Sequence, residues 1–234
     1  MTKTTDLLDR GTTDIAEAYE RLRQDIVFAR IPPGAKLVIE TLKRQYALGP
    51  SPLREALNRL AAEGWVEHRE QRGFHVVAAD PQQHLQLLKA RIWAEGTALR
   101  DSIEHRTDAW EDAVVLALHR LSKEPRFLSV GQDGDAVDEN PQWEQLHRRF
   151  HMTLLSQCTS AYITDFCSQL YDHAHRYRML ALRVNKGRRQ EGDEHRAIAE
   201  AAMAGDADLA VQCLTEHYRR TAAIIGVEEE RPGA

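Results

Sequence analysis

The stretch at residues 46–57, YALGPSPLREAL, limits most strongly what the chain can fold into. Two prolines flank Ser51, and proline fits an α-helix only in the first turn, where the N–H groups have no intrahelical partner anyway. Ser51 itself is of a type that often caps a helix start. Apolar residues then recur at helical spacing and predict a buried stripe: Leu53, Ala56, Leu57 and Leu60. The sequence therefore predicts a short helix that begins at the prolines.

Polar residues occupy the other faces of this helix, near its exposed start: Ser51, Arg54, Glu55, Asn58 and Arg59. Residues 40–46 predict another short helix, and Leu48-Gly49 form a sharp turn between the two. Two short helices joined by such a turn, with polar residues at the start of the second, are typical of a helix-turn-helix that enters the major groove.

The flanking segments extend this unit. Residues 14–30 have the apolar spacing of an amphipathic helix. Gly64 suits the end of the proline-started helix. Residues 65–69 and 74–77 alternate as strands do, and residues 71–73 form the turn between them. Three helices followed by a two-stranded wing predict a winged helix-turn-helix domain over residues 1–78.

Several fixed features of this region resemble the GntR family of bacterial transcription regulators: Pro33-Gly34, the Pro52 to Leu57 core, Gly64 and Arg72-Gly73. The resemblance implies a regulator that binds double-stranded operator DNA. The family usually has Ser-Arg-Thr before the proline, and its arginine contacts a base. Here those positions are Gly49, Pro50 and Ser51, so base reading carries over only to Ser51 and Arg54. The candidate DNA-contacting residues are Lys43, Arg44, Ser51, Arg54, Arg59, Arg72 and Gly73.

Charge is unevenly distributed along the chain. Residues 1–78 hold 12 Lys and Arg against 11 Asp and Glu, whereas residues 79–234 hold 19 against 25. The acidic excess is C-terminal, so a local basic patch in the first domain can approach phosphates. A surface this weakly basic should bind DNA poorly as a single copy, which favours a homodimer. No apolar run approaches the ~18 residues of a membrane span, and the N-terminus has no secretory core, so we expect a cytoplasmic protein that binds no membrane.

Residues 79–234 predict an all-helical bundle that binds an effector and dimerises. Glycine is sparse there, strand signals are absent, and apolar residues recur at helical spacing. The predicted helices are 81–105, 107–122, 138–158, 160–184, 191–204 and 206–226. Residues 123–140 are polar and lack periodicity, which predicts a loop. The expected fold class is thus mainly α.

Four histidines are the candidate metal ligands of this bundle. His147 and His151 are four residues apart and lie on one helical face, while His195 and His217 belong to later helices. They can converge only if these helices pack together, as in the metal sites of helical bundles. Imidazole suits zinc, nickel, copper or iron better than magnesium or calcium. The same spacing also occurs in histidines that are merely core or surface residues.

The second part of the chain is similar to the FCD effector-binding domain of the FadR subgroup. The metal motif of that domain is an acid or Asn, then Phe-His, then two later histidines, and Phe150-His151, His195 and His217 match it. His147 stands at the acidic position, so the resemblance implies four-histidine ligation of a divalent transition metal, zinc or alternatively nickel or iron. Arg91 falls where this domain has an arginine on its first helix and could grip an effector carboxylate. A structural salt bridge with Glu95 is the other reading of Arg91, and Arg178 is a second candidate effector contact.

The pattern YALG…PLREAL within residues 46–57, together with Asp108-Ala-Trp-Glu111 and Arg176-Tyr-Arg178, looks most like the CsiR-type branch. Regulators of that branch repress operons for glutarate and 4-aminobutyrate breakdown. This resemblance implies a small carboxylate effector of the 2-hydroxyglutarate or glutarate type. We expect a homodimeric repressor, not an enzyme, that leaves its operator when the effector binds beside the metal. A metal sensor, or a metalloenzyme acting on a small carboxylate, is the alternative.

Overall fold

The computed structural model describes residues 3–130, 137–185 and 191–224. The chain separates into two compact units, Met1–Asp80 and Pro81–Ala234. The described residues are mostly helical, with a winged helix-turn-helix in the first unit and a helical bundle in the second, so the predicted fold class is confirmed.

The first unit contains three helices and three short strands among its described residues: α1 (Lys3–Val27), β1 (Lys36–Leu37), α2 (Ile39–Tyr46), α3 (Pro50–Ala62), β2 (Val66–Arg69) and β3 (Gly73–Val76). Helix α1 packs against α3. The apolar stripes of these two helices form the centre of the core, where Leu22, Ile26, Leu53, Leu57 and Leu60 are fully buried. Each such side chain contributes about 1.5–3 kcal/mol through removal from water. Helix α1 begins before the predicted residue 14.

The turn between α2 and α3 presents the proline-started helix. Ala47 ends α2 in the left-handed conformation, at φ 56°. Gly49 is the N-cap of α3, and prolines occupy its first turn as predicted. Ser51 lies inside this turn and makes no capping hydrogen bond, so the expectation that it caps the helix is wrong. Gly64 follows the helix at φ 77°, a conformation that glycine adopts without strain.

The wing is the outer part of a three-stranded antiparallel sheet in the order β1-β3-β2. In its hairpin Val66 pairs with Val76 and Arg69 pairs with Gly73. Gln71 and Gly73 have positive φ angles of 57° and 79° in the turn. The two predicted strands are present. Strand β1 has only two residues, too few for an alternating pattern to appear in the sequence.

The second unit contains α4 (Pro81–Glu104), α5 (Asp108–Lys123), β4 (Phe127–Val130), β5 (Val137–Glu139), α6 (Pro141–Leu154), α7 (Ala161–Asn185), α8 (Gly192–Met203) and α9 (Ala207–Ile224). The predicted loop at residues 123–140 is partly wrong, because β4 and β5 pair antiparallel there. A bulge between Phe127 and Ser129 interrupts the pairing, which hides the alternation expected of strands. Residues 131–136 of the predicted loop lie outside the described residues.

Helix packing in the second unit brings distant segments together. Helix α4 packs against α7 and α9, and α8 packs against α5 and α9. Fully buried apolar side chains lie at the centre, including Leu99, Phe150, Leu154 and Ile198. Among the described residues, no helix is both long and apolar enough to span a membrane.

Candidate functional site

The four histidines singled out in the sequence converge in the second unit. Helix α6 supplies His147 and His151, α8 supplies His195, and α9 supplies His217. One ring nitrogen from each lies within 4.8 Å of the others. All four side chains are buried, with exposed fractions of 2–4 %. The packing of three helices therefore creates a buried cluster of four imidazoles.

Two of these rings face each other closely. His147 and His151 lie one turn apart on α6, and their Nε2 atoms are 3.2 Å apart. The rings are nearly perpendicular, with centroids 4.6 Å apart. His195 and His217 complete the cluster, and their centroids are 4.8 Å apart. Both Nε2 atoms of the α6 pair thus point into the space that the cluster encloses.

The other nitrogen of His147 is held by a buried tyrosine. The hydroxyl of Tyr171, on α7, donates a hydrogen bond of 2.9 Å to Glu144 Oε1. Its oxygen lies 2.6 Å from His147 Nδ1 and accepts from it. The proton of His147 is therefore on Nδ1, which leaves the Nε2 lone pair free to bind a cation.

His151 and His217 have the same kind of support. The hydroxyl of Tyr218 donates to Glu95 and lies 3.3 Å from His151 Nδ1. His217 Nδ1 donates directly to Glu194 Oε2 at 2.8 Å. His147, His151 and His217 are thus oriented, through Nδ1, by a carboxylate that binds directly or through a tyrosine. This arrangement is characteristic of metal-binding histidines.

The electrostatics of the cluster keep its ligands ready for a cation. Burial lowers the pKa of His147 and of His151 well below the usual value, and the neighbouring histidines lower both further. Neutral imidazole is the form that binds a metal. Burial also raises the pKa of Tyr171 and Tyr218, so both hydroxyls stay protonated and keep donating to their carboxylates. The donor set fits a divalent transition metal.

Glu144 anchors a second buried network beside the cluster. Its Oε1 atom accepts hydrogen bonds from Arg178 Nη2 at 2.7 Å and lies 2.8 Å from His175 Nδ1. Burial alone would raise the pKa of Glu144, but Arg178 and His175 bring it down to about 2. Arg178, a predicted effector contact, is therefore paired with a carboxylate of its own unit.

Arg91 is paired in the same way. Its guanidinium donates to both carboxylate oxygens of Glu95, at 2.6 and 3.3 Å, and both side chains are buried. It also lies over the ring of Tyr218, 3.8 Å from the centroid. The salt bridge considered from the sequence is thus present. Arg91 and Arg178 line one cavity of about 20 Å³, which has room for about one water.

The sequence did not show which residues support the histidines, and Glu95 was considered only as a partner of Arg91; the supporting residues are Glu95, Glu144, Tyr171, Glu194 and Tyr218. A helical signal existed for Glu144, which is three residues before His147 and so shares its face of α6. The tyrosines come from α7 and α9, and nothing in the local pattern relates them to the cluster.

The first unit places most of its predicted DNA contacts on the surface. Arg44, Ser51, Arg54 and Arg72 are exposed, and Gly73 is half-buried in the turn of the wing. Within the part of the chain that the structure describes, no acidic side chain pairs with Arg44, Arg54 or Arg72. These three guanidinium groups can therefore approach a phosphate or a base edge without breaking an internal ion pair.

Two other predicted contacts are engaged within the unit. Lys43 pairs with Glu40 on the surface of α2, at 2.9 Å. The guanidinium of Arg59 lies over the ring of Tyr19, 3.9 Å from its centroid, and pairs with Glu63 at 3.3 Å. Arg59 therefore joins α3 to α1. Arg54 lies five residues nearer the start of α3, and its side chain is exposed.

Comparison with known proteins gives matches for both units. Residues 15–76 match the family described as bacterial regulatory proteins, gntR family. Residues 86–220 match the FCD domain. Together the two matches include the proline-started helix, the wing and all four clustered histidines.

Similar sequences and a similar structure cover nearly the whole chain. The uncharacterized HTH-type transcriptional regulator BphR of Paraburkholderia xenovorans is 37% identical, over 90% of this chain and 84% of its own. The HTH-type transcriptional repressor GlaR of Escherichia coli is 30% identical, over 89% of this chain and 94% of its own. A putative transcriptional regulator GntR from Rhodococcus sp. RHA1 has the same fold, with a TM-score of 0.71 at 19% identity, over 93% and 100% of the two chains.

Proposed function

Since the chain belongs to the GntR family of bacterial regulatory proteins and carries an FCD domain, we propose that it is a repressor whose operator binding is controlled by a metal-assisted carboxylate effector. That it is a DNA-binding transcription regulator and not an enzyme follows from the family and its relatives, as predicted. Repression is supported by the relative GlaR, which is named a repressor. The CsiR-type branch stays a prediction.

The observation that carries the proposal is the buried cluster of four histidines. His147, His151, His195 and His217 would hold a divalent transition metal, zinc in the first place and nickel or iron as alternatives. A bound metal would supply a Lewis-acidic centre for a carboxylate oxygen. Glu144, Glu95 and Glu194 fix the ring orientations beforehand, so the ligands need little rearrangement.

Arg91 and Arg178 are the proposed effector contacts. Each is already neutralised by a buried carboxylate, Glu95 or Glu144. An effector carboxylate of the glutarate or 2-hydroxyglutarate type would therefore compete with these glutamates for the guanidinium groups, and the 20 Å³ cavity would have to widen. Because Glu144 orients His147 through Tyr171, effector binding and the metal ligands would be coupled. Such a ligand acts by binding one arrangement of the protein better than the other.

A homodimer is proposed because a palindromic operator needs two reading helices. Two helices of the second unit that pack together, α4 and α7, expose large aromatic side chains. Trp93 is 72% exposed on α4, and Tyr162 and Phe166 are 91% and 48% exposed on α7. We propose that these aromatic residues contribute to the dimer contact.

A cytoplasmic location of the protein is proposed because its partner is operator DNA, which lies in the cytoplasm of a bacterium.

The proposal is tested by binding of the full chain to labelled DNA from upstream of its own gene, measured by fluorescence anisotropy. Metal-loaded and chelator-treated protein are each titrated with glutarate, 2-hydroxyglutarate and, as a control, acetate. Release of DNA by a dicarboxylate from the metal-loaded form alone would support the proposal. Release by metal addition without any acid would instead favour the metal-sensor alternative. Binding that responds to neither metal nor acid would contradict both.

A further inference from the structure

A second cavity of this unit extends from exposed residues to His195, one of the proposed metal ligands. It has a volume of about 210 Å³ and lies between α5, α6 and α8. Ser122 and Gly192 are exposed at its outer end, whereas His195 is buried at its inner end. The cavity next to Arg91 and Arg178 measures only about 20 Å³. At about 30 Å³ for each water, the larger cavity has room for several waters and hence for a partly hydrated cation.

The walls of this cavity carry carboxylates that attract cations. Glu191 and Glu124 both line it. Glu191 lies one turn before His195 on the same side of α8, and the His195 backbone N–H donates to the Glu191 carbonyl at 3.1 Å. At this spacing, an ion that first binds the carboxylate of Glu191 can then pass to the imidazole of His195. Glu124 accepts a hydrogen bond of 2.7 Å from Asn140, which fixes its position.

Arg126 holds the inner carboxylate in place. Its guanidinium pairs with Glu191 at 2.7 Å, and both side chains are largely buried. It also lies over the ring of Trp143, 4.7 Å from the centroid, and Trp143 stacks on the proposed ligand His147. The guanidinium of Arg126 therefore neutralises Glu191, and a divalent ion can take its place. The displaced guanidinium still keeps its cation–π contact with the ring of Trp143.

We propose that this cavity is the route by which a divalent transition-metal ion reaches and leaves the histidine cluster, with Glu191 receiving the ion before it passes to His195. The inference rests on the proposed metal site. A route is needed because the four ligands are only 2–4 % exposed. Arg126 holds the Glu191 carboxylate between transfers, and the ion exchanges its waters for protein ligands one at a time. Glu191 is thus a transient ligand and not one of the final four.

Metal exchange kinetics test this assignment. Chelator-treated full-length protein is mixed with Co²⁺ in a stopped-flow spectrometer, and visible absorption reports ligation by nitrogen. Release is then measured with excess EDTA. For Glu191→Gln we expect uptake and release to slow together by about tenfold, at the low end of the range for a charge that steers a ligand. The Kd should stay nearly constant, because a transient ligand affects both rates equally.

Two further variants distinguish this route from entry of the ion elsewhere on the bundle. Ser122→Trp, at an exposed position, should also slow both rates because it narrows the outer end without changing charge. Asp193→Asn removes the same charge from an exposed position two residues after Glu191 and should leave the rates unchanged. Wild-type rates in Glu191→Gln, or equal slowing in Asp193→Asn, would overturn the route. Failure of the wild-type protein to bind Co²⁺ at all would instead contradict the proposed metal site itself.

Discussion

The Nε2 atoms of His147 and His151 face each other at 3.2 Å, while the Nδ1 atom of each ring faces a tyrosine hydroxyl that donates to a glutamate. This network assigns the ring protons to Nδ1. Two unshared electron pairs therefore point into the same buried space, where their repulsion is weakly screened. A divalent cation between the rings would turn this repulsion into attraction.

We expect a bound metal to stabilise the protein markedly. At a free Zn²⁺ concentration a hundredfold above Kd, the gain is about 2.7 kcal/mol, or a rise in Tm of about 5–10 °C. His147→Gln should lose most of this gain because the polar replacement keeps the volume but not the ligand. Thermal unfolding with zinc and with EDTA measures the effect. His119→Gln, at an exposed position on α5, is the control and should gain as much as the wild type. Equal gains in all three proteins would contradict the site.

Tyr171→Phe tests the support of the metal ligands. The change removes the hydroxyl that links His147 Nδ1 to Glu144, so the ring loses the partner that sets its tautomer and orientation. Loss of such an outer partner costs about 10–100-fold in metal affinity. Competition with a chromophoric chelator measures Kd directly. Tyr162→Phe, at a side chain that is 91% exposed, should bind metal as the wild type does. A similar Kd in both variants would show that the hydroxyl does not support the ligand.

The helices that bury a broad apolar face could be predicted from the sequence. The apolar spacing predicts a helix over residues 81–105, and α4 spans Pro81–Glu104. The start of α1 could not be placed, because residues 3–13 are mostly polar and offer no apolar stripe. Strands β4 and β5 were not predicted because they are short, with four and three residues, and a bulge interrupts their pairing. Such short strands show no alternation of apolar and polar residues in the sequence. Their pairing depends on contacts between segments, which local pattern does not contain.

The candidate site was predictable only in part, for the same reason. The four-residue spacing of His147 and His151 places both on one face of any helix that contains them. Tyr171, in contrast, is 24 residues from His147 along the chain, and Tyr218 is 67 residues from His151. Their positions depend on how α7 and α9 pack. The pairing of Arg91 with Glu95 was foreseeable from i,i+4 spacing, whereas that of Arg178 with Glu144 was not.

His84 should make stability depend on pH. It lines the small cavity together with Arg91 and Arg178. Burial and then Arg91 lower the pKa of His84 from 6.5 to about 4. The unfolded chain therefore binds a proton more strongly than the folded one between these values, so stability is lost as the pH falls from about 6.5 to 4. The loss is about 2–3 kcal/mol near pH 4.5.

Urea unfolding near pH 7 and pH 4.5 measures this contribution. In His84→Gln the part of the decline that comes from this imidazole should be absent, so the variant should lose about 2–3 kcal/mol less than the wild type between the two pH values. His119→Gln, which removes an exposed imidazole, should decline as the wild type does. If all three proteins lose the same free energy of unfolding between pH 7 and pH 4.5, the pKa of His84 is not lowered in the folded protein.

Trp93→Glu should weaken the proposed dimer. The side chain of Trp93 is 72% exposed in the single chain. In the proposed dimer, a glutamate at this position would bury an unpaired charge, at a cost of about 2 kcal/mol or more. Sedimentation equilibrium measures the dissociation constant of the dimer, which should rise by about thirtyfold. Val115→Glu, at another exposed apolar side chain, is the matched control. A dimer that tolerates Trp93→Glu but not Val115→Glu would place the contact on α5.

Arg54 and Arg59 lie on the same helix but should differ in what they do. Arg54 is exposed and has no acidic partner among the described residues. Arg59 lies over Tyr19 and pairs with Glu63. Arg54→Ala should therefore cost about 1–3 kcal/mol of operator affinity if the side chain reads a base edge, with stability unchanged within about 0.5 kcal/mol. Arg59→Ala should reduce stability by about 0.5–1 kcal/mol through the lost cation–π contact.

Fluorescence anisotropy with operator and random DNA, alongside urea unfolding, separates the two roles. A base contact by Arg54 lowers operator affinity more than affinity for random DNA, because only the former depends on sequence. A phosphate contact lowers both equally and reduces the dependence of binding on salt. If Arg59→Ala leaves stability intact and abolishes operator binding instead, then Arg59 must leave Tyr19 to reach DNA. The reading surface would then extend further along α3 than the exposed residues at its start.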